Sequence, residues 1–492
     1  MKRISLYSGI PVLSLLSLFF LLALLGCSSC TKPTTAKLVG RVVLTNDSGD
    51  PLLDPVDFAG VTIALYAPAV LDTTIVRLNT KYPQIGVTIS QETEFDHRGE
   101  EPLKLTTSGA DGSFDLEEIT PGAYNLAFIS PQWGVRYICG LSLEAGQEMD
   151  LGSLELFPVT ILGTYHSEDV VFKRDHCYFI GETASFTGTV TIQPGSRIYM
   201  GPGSSFKAYG GFITVEASDI NDAWRILPAR EAFTTSALEL GPDDYFGGLE
   251  LRGEDSRLQG GIVRYFANTV GVFNDYCVVN NMLMQHGNTG LSILQGNASI
   301  SNVITADCAN MGFQLFSSQP GPFDVSSCVF MNQGYGISIS IIGDFDINNN
   351  YFYNSRFGVA NLTCSGSITH NEFEHGMIDV HQGSGNEIIA YNKFYYSTRW
   401  TIRPLGTMQI NYNDFYRTAQ YFVVIRQNDA PPYYTYVYDD VDATNNYWLP
   451  ANVDDYLLDG TDNPNYPPGQ ECGYYVIHQP RRFTPVPGAG IQ

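Results

Sequence analysis

"ITHNEF" at Ile368–Phe373, "IAYNKF" at Ile389–Phe394 and "INYNDF" at Ile410–Phe415 are one pattern repeated at a spacing of 21 residues. Setting the central small residue in register extends the series to Asn281, Asn302, Cys328, Asn350, Asn371, Asn392, Asn413 and Asn446. A second short strand-like stretch follows in each unit: "GLSIL" from Gly290, "GFQLF" from Gly312, "GISIS" from Gly336, "GVANL" from Gly358. A unit of this length holds two or three strands of a few residues each with their turns. It is too short for a helix plus a strand, and it lacks the four strands of a propeller blade. The spacing therefore predicts a parallel β-helix, whose coils stack strand on strand.

Adjacent coils lie about 4.8 Å apart, so equivalent side chains touch. Inward asparagines at Asn281, Asn302, Asn350, Asn371, Asn392, Asn413 and Asn446 are then expected to form a ladder of amides. Such a ladder satisfies one another's buried polar groups and needs no ligand. Another small residue is tolerated in it, which suits Cys328. The aromatic residue two positions on (Phe330, Phe352, Phe373, Phe394, Phe415, Trp448) is expected to stack in the core.

Upstream, "TVTIQPGSRIYMGPGSSFKAYGGFITVEA" (Thr189–Ala217) and "YFGGLELRGEDSRLQGGIVRYFAN" (Tyr245–Asn268) look like opening rungs of such a helix. From about residue 158 to 450 the chain resembles the right-handed, pectate-lyase-like β-helix repeat family, with 451–492 as a C-terminal cap and tail. Residues 37–157 read differently. Period-2 apolar positions such as Val61, Ile63 and Leu65, or Tyr124, Leu126 and Phe128, mark half-buried antiparallel strands. "SGADGSFDLEEITPGAYNLAF" (Ser108–Phe128) resembles the carboxypeptidase regulatory-like, transthyretin-like sandwich domain, interrupted by an insertion near residues 70–103. That resemblance implies a spacer or adhesion-like module without peptidase chemistry. The expected fold is all-β: a small antiparallel β-sandwich followed by a right-handed parallel β-helix.

Residues 1–26 combine a basic start, "MKR", with the apolar run "PVLSLLSLFFLLALLG", the form of a targeting segment. "LLALLGCSSC" resembles the lipobox of bacterial lipoproteins. The resemblance implies cleavage before Cys27, lipidation of that cysteine and a polar tether over 27–36. Each buried acyl CH₂ would contribute about 0.8 kcal/mol to membrane anchoring. The location expected is the bacterial cell envelope, pointing to the outer membrane, on its periplasmic or outer face. A formal net charge of −24, more negative once Lys2 and Arg3 are removed, argues against nucleic acid as a partner. The eight other cysteines show no CxxC pair or metal spacing and are expected mainly as small buried residues.

If the asparagines are structural, chemistry must lie on outward positions. "EFEHGMIDVH" gathers Glu372, Glu374, His375, Asp379 and His381, of which Glu372, Glu374, Asp379 and His381 are the candidate acid–base groups for a polysaccharide lyase or glycoside hydrolase. The paired aspartates, Gly-His-Gly and Arg-x-Lys of polygalacturonase-like relatives are not intact, and "EHG" departs at its first position. "GDFDINNN" places Asp344, Asp346 and Asn348 on one face, oxygen donors suited to Ca²⁺; an EF-hand is ruled out by Asn349 and Ser355 at its sixth and twelfth positions. Arg356, Arg399 and Arg403 are candidate bases or clamps. Among many clustered aromatics, Tyr395, Trp400, Tyr416 and Tyr434 are expected to face outward and stack on sugar or a protein surface. The leading expectation is an envelope-anchored surface lipoprotein binding polysaccharide or another envelope component without catalysis. A glycan-degrading enzyme and a purely structural rod or adhesin are its alternatives.

Overall fold

The computed structural model describes residues 34–215, 220–254, 256–274, 276–361, 364–381, 387–404, 408–425, 440–450, 452–459 and 474–492. Cys27, Cys30, Tyr434 and Cys472 lie outside these residues, as does the segment 1–26. The N-terminal region is a sandwich. A three-stranded sheet orders Ser113–Ile119, Ala36–Leu44 and Glu148–Leu156; a four-stranded sheet orders Lys104–Thr107, Thr62–Tyr66, Gly122–Ser130 and Gly134–Leu143. Leu38, Val42, Ile63, Leu65, Phe114, Leu126 and Phe128 from the two inner faces form its core. Their alternation with exposed positions is the period of two that the sequence displays.

From Thr160 the chain winds into a parallel β-helix of the right-handed type. Each regular coil has three short strands. One coil runs Asp344–Asn348, Tyr351–Tyr353 and Phe357–Asn361; the next runs Ser365–Thr369, Glu372–Glu374 and Ile378–His381. We call these the first, second and third sheets. Register is strict: Phe352 pairs with Phe373 and Val359 with Val380 on adjacent coils. The third sheet stacks 13 parallel strands, and its last, Leu457–Leu458, lies beyond residue 450.

Why these residues make a coil is visible at its first corner. Gly260, Asn281, Asn302, Ser327, Asn349, His370, Tyr391, Tyr412 and Asn445 all have positive φ, between 53° and 64°, forming a left-handed column between the first and second sheets. Asparagine tolerates this conformation better than most residues. The residue after each turn points inward. Asn350, Asn371, Asn392, Asn413 and Asn446 are fully buried there and form the ladder. The Nδ2 of each donates to the next Oδ1 at 3.0–3.1 Å, and each Oδ1 also accepts the preceding residue's backbone N–H at 2.7–2.9 Å. Cys328 occupies the same buried position, its N–H donating to Asn350 Oδ1 at 2.8 Å. Asn281 and Asn302 do not belong to the ladder. They sit one residue earlier, in the left-handed column, and Met282 and Val303 fill the inward position in those coils. The shared "Asn plus apolar" pattern hides this one-residue difference, because asparagine suits both places.

Behind the ladder the rings stack from Phe330 through Phe352, Phe373, Phe394 and Phe415 to Trp448, at centroid spacings of 4.2–5.0 Å and interplanar angles of 6–15°. These spacings are the coil rise itself. Six described cysteines are free thiols, five of them buried.

The sandwich is not a spacer standing apart from the helix. Its insertion forms a helix, Thr73–Lys81, capped by Asp72, followed by an irregular segment whose apolar side chains pack on the outer face of the second sheet. Ile75, Leu78, Ile85, Val87 and Ile89 pack there against Leu283, Ile304, Val329 and Met331. The C-terminal tail closes the same side: Ile491 joins this apolar cluster, Gly490 N–H donates to Tyr391 O at 2.7 Å, and Gln492 N–H to Asn349 Oδ1 at 3.0 Å. Gly86 approaches the sheet closely. Its φ is +62°, its N–H donates to Ser327 O at 2.6 Å, and a Cβ there would lie 2.8 Å from Ile304 Cγ1 and 2.9 Å from Val329 Cγ2. Gly86→Ala should therefore cost about 1–3 kcal/mol, from the left-handed backbone plus the contact. Urea unfolding of the soluble chain from Lys37 measures it, and an unchanged midpoint would contradict this docking.

Candidate functional site

Glu372 and Glu374 alternate with the core residue Phe373 and point outward from the second sheet, but Glu372 is buried and Glu374 only partly exposed. Glu372 is 1% exposed. The Tyr82 hydroxyl donates to its Oε1, Lys81 Nζ lies 3.1 Å from Oε2, and Lys393 Nζ lies 3.9 Å from Oε1. Glu374 accepts from the Tyr351 hydroxyl at 2.6 Å, with Arg77 Nη2 and His375 Nε2 each 3.6 Å away. Lys81 in turn sits over the Tyr82 ring, 4.4 Å from its centroid. Between the inserted helix and the sheet remains a cavity of about 260 Å³, bounded by the two glutamates with Arg77, Lys81, Tyr82 and Tyr351, and by Leu78 and Tyr395. Arg77, Lys81 and Tyr82 are functional neighbours that the sequence reading missed, since almost 300 residues separate them from the carboxylates. The available signal was the insertion itself, with Ile75 and Leu78 one helical turn apart and no room for them in the sandwich.

The other acid–base candidates are elsewhere. Asp379 is 1% exposed and lies inside the coil, in the column that holds Gly336 and Gly358 in the preceding coils. It accepts a hydrogen bond from Ser397 Oγ, which also contacts Thr401 Oγ1 at 2.8 Å. Burial pushes its carboxyl up to about 8. His381 is half-buried on the third sheet beside Arg403, with Nη1 3.1 Å from Nε2; burial, then that guanidinium, bring its pKa down to about 4. Glu372 and Glu374, Asp379, and His381 thus occupy three separate environments, because alternation fixes direction only within one strand, and a corner intervenes between Glu374 and Asp379. They form no joint acid–base pair. Arg356 and Arg399 lie over Phe357 and Trp400, 5.3 and 4.0 Å from the ring centroids.

The Ca²⁺ candidates fare similarly. Asp346 accepts from Ser367 Oγ at 2.5 Å and Asn348 Nδ2 at 2.9 Å, so its oxygens and the Asn348 amide are committed to each other along the first sheet. Asp344 is exposed at the strand's start. Among the described residues no three acidic, histidine or cysteine groups come together as a metal site. Such a set does not fit a cation that takes 6–8 oxygens.

One of the aromatic expectations needs correction. Trp400 is 4% exposed, packed with Ile378, Val424 and Leu458, because the strand Trp400–Arg403 starts with its first side chain turned into an apolar cluster. Tyr395 and Tyr416 are partly exposed but stack on each other at 5.2 Å and 11°; the Lys81 ammonium lies 5.7 Å from the Tyr395 centroid. Ring stacking along the coil axis uses faces that a sugar would need, leaving mainly edges.

An open groove follows the second corner, between the second and third sheets. Asp307, Asn332, Asn354 and His375 stand there in a second left-handed column, with φ between 51° and 61°. Asn332 Nδ2 donates to Asp307 Oδ1 at 3.0 Å and Asn354 Nδ2 to Asn332 Oδ1 at 2.9 Å, leaving a line of amides and hydroxyls along the groove. The groove has a volume of about 570 Å³, with Arg356, Met377 and Thr398 on its walls. Among the lining residues, Gln333 Oε1 and Ser355 Oγ are buried and have no hydrogen-bond partner among the described residues. Buried polar atoms of this kind are normally satisfied by water or ligand. Sequence could not reveal this groove, because its residues come from five coils and each looks like an ordinary polar turn.

No known protein family, curated protein or solved structure matches the chain. The class it defines rests on its own geometry: a β-sandwich whose insertion is bound along a parallel β-helix, with a covered carboxylate face and an open polar groove.

Proposed function

We propose that this chain is an envelope-anchored surface lipoprotein, tethered through Cys27, that binds a neutral polysaccharide in the second-corner groove without catalysis. One observation carries the reading. The groove presents amide and hydroxyl groups along five successive coils, about 20 Å at about 4.8 Å per coil, over two buried polar atoms that lack a partner among the described residues, while the candidate acid–base groups are separated and engaged. A polymer is the natural occupant of a repeating groove. A neutral one is favoured by the net charge of −24 and by Asp307 at the groove's end.

A glycan array probed with the soluble chain from Lys37 tests this. Binding to one or more neutral glycans is expected, with at least tenfold weaker signal for Arg356→Ala, whose side chain lies on the groove wall. Uniformly blank arrays would remove the groove reading.

A further inference from the structure

We propose that the 260 Å³ cavity between the inserted helix and the second sheet is a second binding site, taking a single neutral sugar residue such as the end of the glycan held in the groove. The choice of ligand class rests on the groove reading; the cavity itself does not. Its volume lies just below the roughly 300–1,000 Å³ of ordinary small-molecule sites, which limits the occupant to about one ring. Its charges cancel locally: Glu372 is matched by Lys81, and Glu374 by Arg77. An ionic ligand would leave one of these groups unpaired in a confined space, whereas a polyol meets both donors and acceptors.

The shape agrees. Tyr82 and Tyr351 are held by their hydroxyl bonds to the two carboxylates, so rings and polar groups are fixed before a ligand arrives. Apolar ring surface beside fixed hydrogen-bonding groups is the combination that a sugar, with its C–H face and hydroxyl rim, requires. Tyr395, stacked on Tyr416, borders the same space with its edge. The cavity and the groove are also neighbours: Glu374 lines the first, His375 lines the second, and the two side chains are 3.6 Å apart. One glycan chain can therefore lie in the groove and turn its end toward the cavity by displacing a partly exposed histidine.

Saturation-transfer NMR on the soluble chain from Lys37, using glucose, galactose, mannose and N-acetylglucosamine as free probes, tests the site. At least one sugar is expected to receive saturation, with the signal reduced severalfold or more in Tyr395→Phe and in Arg77→Gln and kept in the groove variant Arg356→Ala. These exchanges are partly exposed and leave the coil intact, which circular dichroism verifies. Saturation of no free sugar, with glycan-array binding intact, would overturn the cavity site and leave the groove standing. Saturation that survives Tyr395→Phe and Arg77→Gln would equally overturn it. Saturation lost in those variants alongside blank arrays would support the cavity and sink the groove.

Discussion

Replacing Asn392 by alanine is expected to lower the unfolding free energy by about 2–4 kcal/mol. The Asn392 side chain donates to Ile368 O at 2.7 Å, Ala390 O at 3.1 Å and Asn413 Oδ1 at 3.0 Å, and it accepts from both the backbone and the side-chain nitrogen of Asn371. Alanine removes all of these and leaves the Asn371 backbone N–H buried without its acceptor, while Asn371 Nδ2 keeps Ile347 O and Thr369 O. A stranded group costs about 1–3 kcal/mol, and a cavity is added. Asn302→Ala supplies the contrast. That residue is half-buried at a left-handed corner outside the ladder, so the loss should stay near 1 kcal/mol. Urea midpoints of the two variants measure the difference; equal losses would mean that the buried ladder has no special weight.

The second large effect depends on pH. Asp379 has a folded pKa of about 8, raised by burial, against about 3.9 in the unfolded chain. Between these values the folded state holds a proton that the unfolded state has released. Stability therefore falls as pH rises from about 4 to about 8, by up to about 1.4 kcal/mol per pH unit, and this contribution is flat above about 8. Asp379→Asn keeps the shape and removes the titration. Its advantage over the wild type should be near zero at pH 4 and grow toward an upper bound of about 5 kcal/mol at pH 8. Comparing denaturant midpoints of the two proteins at pH 5 and pH 8 isolates the effect from other titrating groups. A constant difference across that range would show that Asp379 is not buried as a protonated acid. The residue also marks a departure from the repeat, since the matching positions in the two preceding coils are Gly336 and Gly358.

The repeat made the helix legible because coil stacking demands the same residue types at the same places. Phe373, Phe394 and Phe415 could be named as core from spacing alone, and Cys328 could be placed in the ladder as a small residue. The limits came from two sources. Asn281 and Asn302 show that a residue suited both to a left-handed corner and to an inward ladder gives the same signal one position apart. Glu372 shows that alternation reveals which way a side chain points but not what covers it. The cover arrives from the insertion at 70–103, which local patterns treat as an interruption of the sandwich. Trp400 fails for a related reason: a large ring reads as a surface platform when the apolar cluster that receives it comes from Val424 and Leu458, in later coils. The groove was invisible because no single coil contains it.

The covered carboxylate face and the cavity both depend on the insertion lying on the second sheet. The Gly86 amide reports this contact directly, since its hydrogen bond runs from the sandwich's insertion to a carbonyl of the β-helix, Ser327 O, at 2.6 Å. Hydrogen exchange of that amide in the soluble chain from Lys37 is the decisive measurement. Exchange slowed to the rate set by large-scale unfolding, and accelerated in Gly86→Ala neighbours such as Val87, is the result this docking requires. Exchange at the rate of an unstructured peptide would mean that the insertion is not bound there, that Glu372 and Glu374 are open to solvent, and that the cavity does not exist.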